Sequence, residues 1–224
     1  MIGVRPLQWP DTSFNKQSKR FMHFIPDEIY HVYNRGNNKQ PIFFNDNNYI
    51  FFLKKIRNEW KKYCEVLCYC LMPNHFHFML IPNKEACAAI ELGDKMTHMQ
   101  NLSKAIGKTL SSYTKAINIQ NQTTGNLFQK KTQAKCLTDT TTNDELKKSY
   151  LVTCFHYIHQ NPLIAALVMH LKDWKYSSYP DYYKYRNGTL CSKDIAMKLL
   201  SPSENDFKNE EVVSLNEKII TQIF

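Results

Sequence analysis

The chain has 224 residues, 43% hydrophobic and 22% charged, with a formal net charge of +9. That balance excludes a disordered segment and fits one domain with an extension, or two small domains. The positive excess favours a polyanionic partner, nucleic acid or an anionic membrane. No run reaches the roughly 18 apolar residues of a spanning helix, and the N-terminus lacks the basic-then-apolar pattern of an export signal. A soluble, cytoplasmic chain without a membrane partner is expected. The seven cysteines are odd in number without paired CxxC spacing, so packed, reduced thiols are expected, Cys68 and Cys70 sharing a strand face.

Residues 1–24 carry Pro6, Pro10, Lys16, Lys19 and Arg20 with little periodicity and read as a basic arm. Glu28–Asn34 alternates and is rich in aromatics, which predicts a strand; Arg35-Gly36-Asn37-Asn38 breaks it. Asp46 is positioned to cap a helix whose apolar residues Tyr49, Phe52, Leu53, Ile56 and Trp60 recur at helical spacing. Cys64–Leu71 and Asn74–Ile81 are two further strands, joined antiparallel through the Met72-Pro73 turn. Met96, Met99, Leu102, Ile106, Leu110, Tyr113 and Ile117 form the apolar stripe of a long helix, and Gly125 ends that region. Gln133–Leu137 reads as a short fourth strand. Asp144 opens a helix through Leu151, Cys154, Phe155 and Ile158 until Pro162 stops it. Strand, helix, two strands, helix, strand is the order of an α+β, ferredoxin-like (RRM-like) antiparallel sheet with helices packed on one face. The expected division is an arm over 1–24, a catalytic domain over 25–165, and an aromatic and helical extension over 166–224.

Chemistry is suggested first by Leu71–Ile81, LMPNHFHFMLI. On a strand, His75 and His77 project from one face and Phe76 from the other, and two neutral imidazoles side by side can hold a metal. The same spacing fits a half-buried strand with two histidines facing water. In the late helix, Tyr157 and Asn161 lie four residues apart on one face, offering an oxygen ligand and a nucleophile. A phenol, with an ordinary pKa of about 10, becomes competent against a phosphodiester when a metal neutralises the phosphate. A tyrosine packed at the core's edge and an asparagine capping the helix fit that spacing equally well.

The blocks Tyr30-His31-Val32-Tyr33-Asn34-Arg35-Gly36-Asn37, Tyr69-Cys70-Leu71-Met72-Pro73-Asn74-His75-Phe76-His77 and Tyr157-Ile158-His159-Gln160-Asn161-Pro162 resemble three signature blocks of the single-tyrosine HUH transposases. The resemblance is nearest to the REP-associated tyrosine transposase (RAYT) branch. Gly125-Asn126-Leu127-Phe128-Gln129 resembles that branch's G-H-L-F/W-Q segment, and Trp174-Lys175-Tyr176-Ser177-Ser178-Tyr179 its W-x-x-S-S-Y segment. The matches run in order over about residues 28–180. The resemblance implies a DNA-nicking and strand-transferring enzyme acting on single-stranded DNA folded into hairpins. His75 and His77 would bind a divalent metal ion, magnesium or manganese, with Asn161 as third ligand. Tyr157 would be the nucleophile, leaving a 5′-phosphotyrosyl link and a free 3′-hydroxyl. Arg35, Lys130 and Lys131 are the expected DNA contacts, and a monomer or homodimer the expected state.

This chain departs from the pattern at Asn126, where relatives often carry histidine. Its basic residues are nearly all lysine, with only five arginines, which favours phosphate contact over bidentate base reading except near Arg35. Tyr113 is a rival nucleophile, but its position on an apolar stripe argues for packing. His31 reads as a residue of the sheet surface and His159 as lying around the helix from Asn161, so neither is expected to be a ligand. The Trp174–Tyr185 aromatics fit a structural clamp, expected for Trp174, or a base-stacking surface among Lys172, Lys175, Lys184 and Arg186. Two other functions share the fold: a hairpin-binding protein that no longer cuts, and a metal-dependent hydrolase in which water attacks.

Overall fold

The computed structural model describes residues 22–92, 95–138 and 143–200, with the backbone alone for 91–92 and 95–98. Most of the basic arm expected over 1–24, and the tail beyond Leu200, lie outside the described residues.

Strands β1 (Tyr30–Arg35), β2 (Cys64–Met72) and β3 (His75–Pro82) are joined by helix α1 (Asp46–Trp60) and the two-residue turn Pro73-Asn74. A one-turn helix α2 (Lys84–Cys87) and a separate hairpin of β4 (Ala89–Leu92) and β5 (Lys95–Gln100) lead into helix α3 (Asn101–Asn121). Strand β6 (Gln133–Cys136) then completes a four-stranded sheet in the order β2-β3-β1-β6 with every pair antiparallel. This is the α+β, ferredoxin-like arrangement that the element order predicts.

The strand period divides the side chains between two cores. Val32, Leu71, Phe76, Phe78 and Leu80 meet α1 and α3 through Phe52, Ile56, Trp60, Ile106 and Tyr113. Cys68, Cys70, Met72 and Met79 meet helix α4 (Asp144–Ile164), through Leu151, Cys154, Phe155 and Ile158. So α1 and α3 share one face, and α4 closes the opposite face, the one that carries the histidine pair. A bulge in β2 at Leu67 shifts the register against β3 between Val66 and Cys68: Leu67 and Cys68 both enter the second core, and the alternation resumes in phase for Cys70 and Met72.

Several expected boundaries move. Met96 and Met99 belong to β5, and the helix begins only at Asn101. Asn45, not Asp46, caps α1 by accepting from the Asn48 amide at 3.1 Å, while Asp46 pairs with Lys175. Asn143 does the same for α4, accepting from the Leu146 amide at 2.8 Å, a bond worth about 1 kcal/mol. Pro162 does not stop α4, which continues to Ile164. The missing amide of Pro162 costs only one carbonyl bond near the helix end, and the chain turns where Leu167 N donates to Pro162 O at 2.9 Å.

Beyond α4 the segment through helix α5 (Tyr179–Tyr182) is fastened to the free edge of β2. Leu71 N donates to Tyr176 O and Ser178 N to Tyr69 O, while Trp174 Nε1 reaches Leu71 O at 3.1 Å. Tyr182 donates to Leu67 O, and Tyr176 stacks on Tyr49 with ring centroids 3.7 Å apart. Helix α6 (Lys193–Leu200) adds Ala196 and Leu200 to the second core. The aromatics of this segment therefore serve packing; Tyr185, with Lys172 over its ring, is the one aromatic side chain among Trp174–Tyr185 that is exposed.

Candidate functional site

The β2–β3 turn positions the first histidine. Pro73 O accepts from Ile42 N and Phe43 N, and Asn74 O accepts from Gly36 N at 2.8 Å. Gly36 suits this crossing because a Cβ there would lie 2.1 Å from Gln40 O. The turn is thus tied to the end of β1, and β1 and β3 run in a register that sets Arg35 opposite His75 and Tyr33 opposite His77. His75, His77, Tyr33 and Arg35 consequently share the sheet face that α4 covers.

Helix α4 lays Tyr157 and Asn161 over that face. The Tyr157 ring stands at 89° to that of His77, with centroids 5.7 Å apart, and the rings of His75 and His77 are 5.0 Å apart at 85°. Asn161 Nδ2 donates to the Tyr157 carbonyl at 2.7 Å. That bond to the preceding turn fixes the amide, whose side chain also engages His75 and Tyr157. Asn161 therefore links the imidazole to the phenol rather than capping the helix end.

Burial dominates the electrostatics. It pushes the His75 pKa down to about 4, against an opposing interaction with Asn161 and assisted by the positive charge of Arg35. Burial, with His75 and His31 adding to it, holds His77 well below the ordinary imidazole range. Both rings are neutral at pH 7 and have nitrogen lone pairs to offer. Burial pushes the Tyr157 phenol up, Asn161 opposing, so the phenolate needs added positive charge to form.

The site opens into a cavity of about 450 Å³, lined by His75, Tyr157, Asn161, Lys39, Met72 and Ile164 among others. Tyr157 is 8% exposed and His77 fully buried. The expected residues His75, His77, Tyr157 and Asn161 thus come together, with Arg35 beside His75. Lys130 and Lys131 do not line this cavity. They border a separate cleft of about 840 Å³ between α3 and β6, with Lys104 and Lys108.

Two residues gain a place in the site that their sequence context does not reveal. His31 is not on the surface: it is fully buried, and its Nε2 lies 2.9 Å from His77 Nδ1. Its alternation with Tyr33 and Arg35 was the available signal, legible only with the β1–β3 register. Lys39 lines the cavity from the short helical turn after Gly36. By contrast His159 is buried against Ser178 Oγ at 2.8 Å, in keeping with a packing role. Tyr113 is fully buried and donates to Ile42 O at 2.7 Å, in the core on the other face of the sheet.

No protein-family model matches the chain, and no curated protein does either. Among solved structures the chain is similar to one described as the structure of the REP-associated tyrosine transposase bound to a REP hairpin. The two are 15% identical, with a TM-score of 0.49, over 77% of this chain and 87% of that one.

Proposed function

We propose that this chain nicks and rejoins DNA, with Tyr157 as the nucleophile on single-stranded or hairpin DNA. The observation that carries the reading is the convergence of His75, Asn161 and Tyr157 at one cavity, with the buried imidazole of His77 set edge to face against the phenol. In net balance the Tyr157 oxygen forms a bond to phosphorus as the bond to the 3′ oxygen breaks. The phenolic proton ends on the departing 3′-hydroxyl, and the 5′ side stays on the protein as a phosphotyrosyl ester. Attack by a DNA 3′-hydroxyl reverses these changes, so strand transfer needs no external energy source.

The donor set fits a divalent ion. His75 and His77 would hold it through neutral imidazole nitrogens and Asn161 through its amide oxygen. Among the described residues no three histidine, cysteine or acidic side chains gather as a metal cluster, so the remaining positions would fall to phosphate and water, as magnesium and manganese accept. Such an ion, when bound, neutralises phosphate charge and favours the phenolate. Arg35 and Lys39 bring fixed positive charge to the same phosphate, and burial of Tyr157 keeps competing water from the phenol.

The test is incubation with labelled hairpin DNA and magnesium or manganese, scored for a protein–DNA adduct that survives denaturation. An adduct supports the reading. Cleavage without one would assign the attack to water.

A further inference from the structure

We infer that His31 is a positioning residue that holds the proton of His77 on Nδ1, so that Nε2 presents its lone pair to the metal. This inference rests on the metal reading proposed above. The 2.9 Å contact between His31 Nε2 and His77 Nδ1 permits two arrangements. If His31 donates, His77 carries its own proton on Nε2 and has no lone pair to give on the side away from His31. If His77 donates, Nε2 is the free base. A metal bound by His77 selects the second arrangement, and His31 then acts as the acceptor that fixes tautomer and ring orientation.

The surroundings suit that duty. His31 is fully buried, so water does not compete for the contact. Its ring stacks on that of Tyr33, with centroids 4.6 Å apart at 26°, and lies edge to edge with that of His77, with centroids 5.1 Å apart at 18° across the nitrogen contact. Tyr33 therefore steadies the plane of the His31 ring from one face, and β1 and β3 fix the two backbones through their register. An outer partner of this kind, when lost, lowers metal affinity about 10- to 100-fold.

The test uses the full chain and three variants of the acceptor. His31→Phe keeps a ring of similar size without the nitrogen; His31→Gln restores an acceptor oxygen near the position of Nε2. Manganese affinity is measured by electron paramagnetic resonance, and the His77 tautomer by nitrogen-15 spectra of the metal-free protein, with melting temperature as the folding control. His31→Ala, which loses both ring and acceptor, serves as the third variant. The expected result is an Nδ1–H tautomer in the wild type, manganese binding weakened about 10- to 100-fold in His31→Phe and His31→Ala, and binding recovered in His31→Gln. An Nε2–H tautomer in the wild type, or wild-type manganese affinity in a folded His31→Phe, would overturn the inference. If the wild type binds no manganese, the metal reading itself fails, and the tautomer spectrum still decides whether His31 holds the His77 proton.

Discussion

The ring of Tyr157 meets that of His77 edge to face, with centroids 5.7 Å apart, although the two residues come from a helix and a strand far apart in the chain. The sheet supplies the bases and the late helix the phenol, so each half can be altered separately. His75→Ala and His77→Ala are expected to reduce cleavage by about a hundredfold or more while leaving DNA affinity within about threefold of wild type, because binding charge is spread over many lysines. Gel-shift and cleavage assays on both variants check this, and near-normal cutting by either would remove the metal assignment.

Stability should respond to acid. His75, His77 and His159 are held neutral by burial, His75 with a pKa of about 4 and His159 of about 3. In the unfolded chain each takes up a proton near pH 6.5. The unfolded state therefore binds more protons between about 6.5 and these folded values, and stability falls as pH falls through that window. Urea denaturation from pH 7.5 down to 4 should show midpoints decreasing below about 6.5, and His159→Gln should flatten part of the slope. Constant midpoints from 6.5 to 4.5 would contradict the buried-neutral description.

DNA binding should weaken steeply with salt. With a slope of about −0.7 per single-strand phosphate, about four contacts give a log–log slope near −3. Lys130→Ala with Lys131→Ala tests whether the cleft between α3 and β6 belongs to the same footprint: the slope should become shallower by about one or more with cleavage of bound DNA unchanged. A salt-independent dissociation constant would point away from a polyanionic ligand.

Arg186 should matter for folding rather than for DNA. Its guanidinium binds both oxygens of buried Asp181 at 2.7 Å and donates to the carbonyls of Lys175 and Ser177. Arg186→Ala leaves a buried carboxylate short of its cation and should cost about 2–3 kcal/mol. Hairpin affinity at a temperature where the variant is folded should stay close to wild type; a selective loss of affinity would give Arg186 a role in binding.

Much of this was legible in the sequence because it rests on short periods. The alternation of His75, Phe76 and His77 and the four-residue step from Tyr157 to Asn161 fix faces locally, whatever the tertiary contacts. Strand and helix types followed for the same reason. What escaped depended on register or on ambiguous spacing. Met96 and Met99 sit three apart and continue smoothly into the stripe of α3, so only the hairpin partner of β5 distinguishes strand from helix there. His31 looks like any polar residue of an aromatic strand until β1 is set beside β3. Residues 153–162 of α4 are buried almost all round, because the helix lies between the sheet and the C-terminal segment, so its stripe does not indicate which sheet face it covers.

The most direct measurement of the central claim compares Tyr157→Phe with Tyr113→Phe for covalent adduct on labelled hairpin DNA with manganese. Both changes remove one oxygen and leave the ring to pack, so neither opens a large cavity. Tyr113→Phe also loses its bond to Ile42 O and should be destabilised by about 1–2 kcal/mol, yet it should form adduct and cut when folded. Tyr157→Phe should bind DNA and manganese normally and form neither adduct nor nick. An active Tyr157→Phe beside a folded but dead Tyr113→Phe would contradict the assignment of the nucleophile to α4, and cutting by both without any wild-type adduct would make water the attacking group.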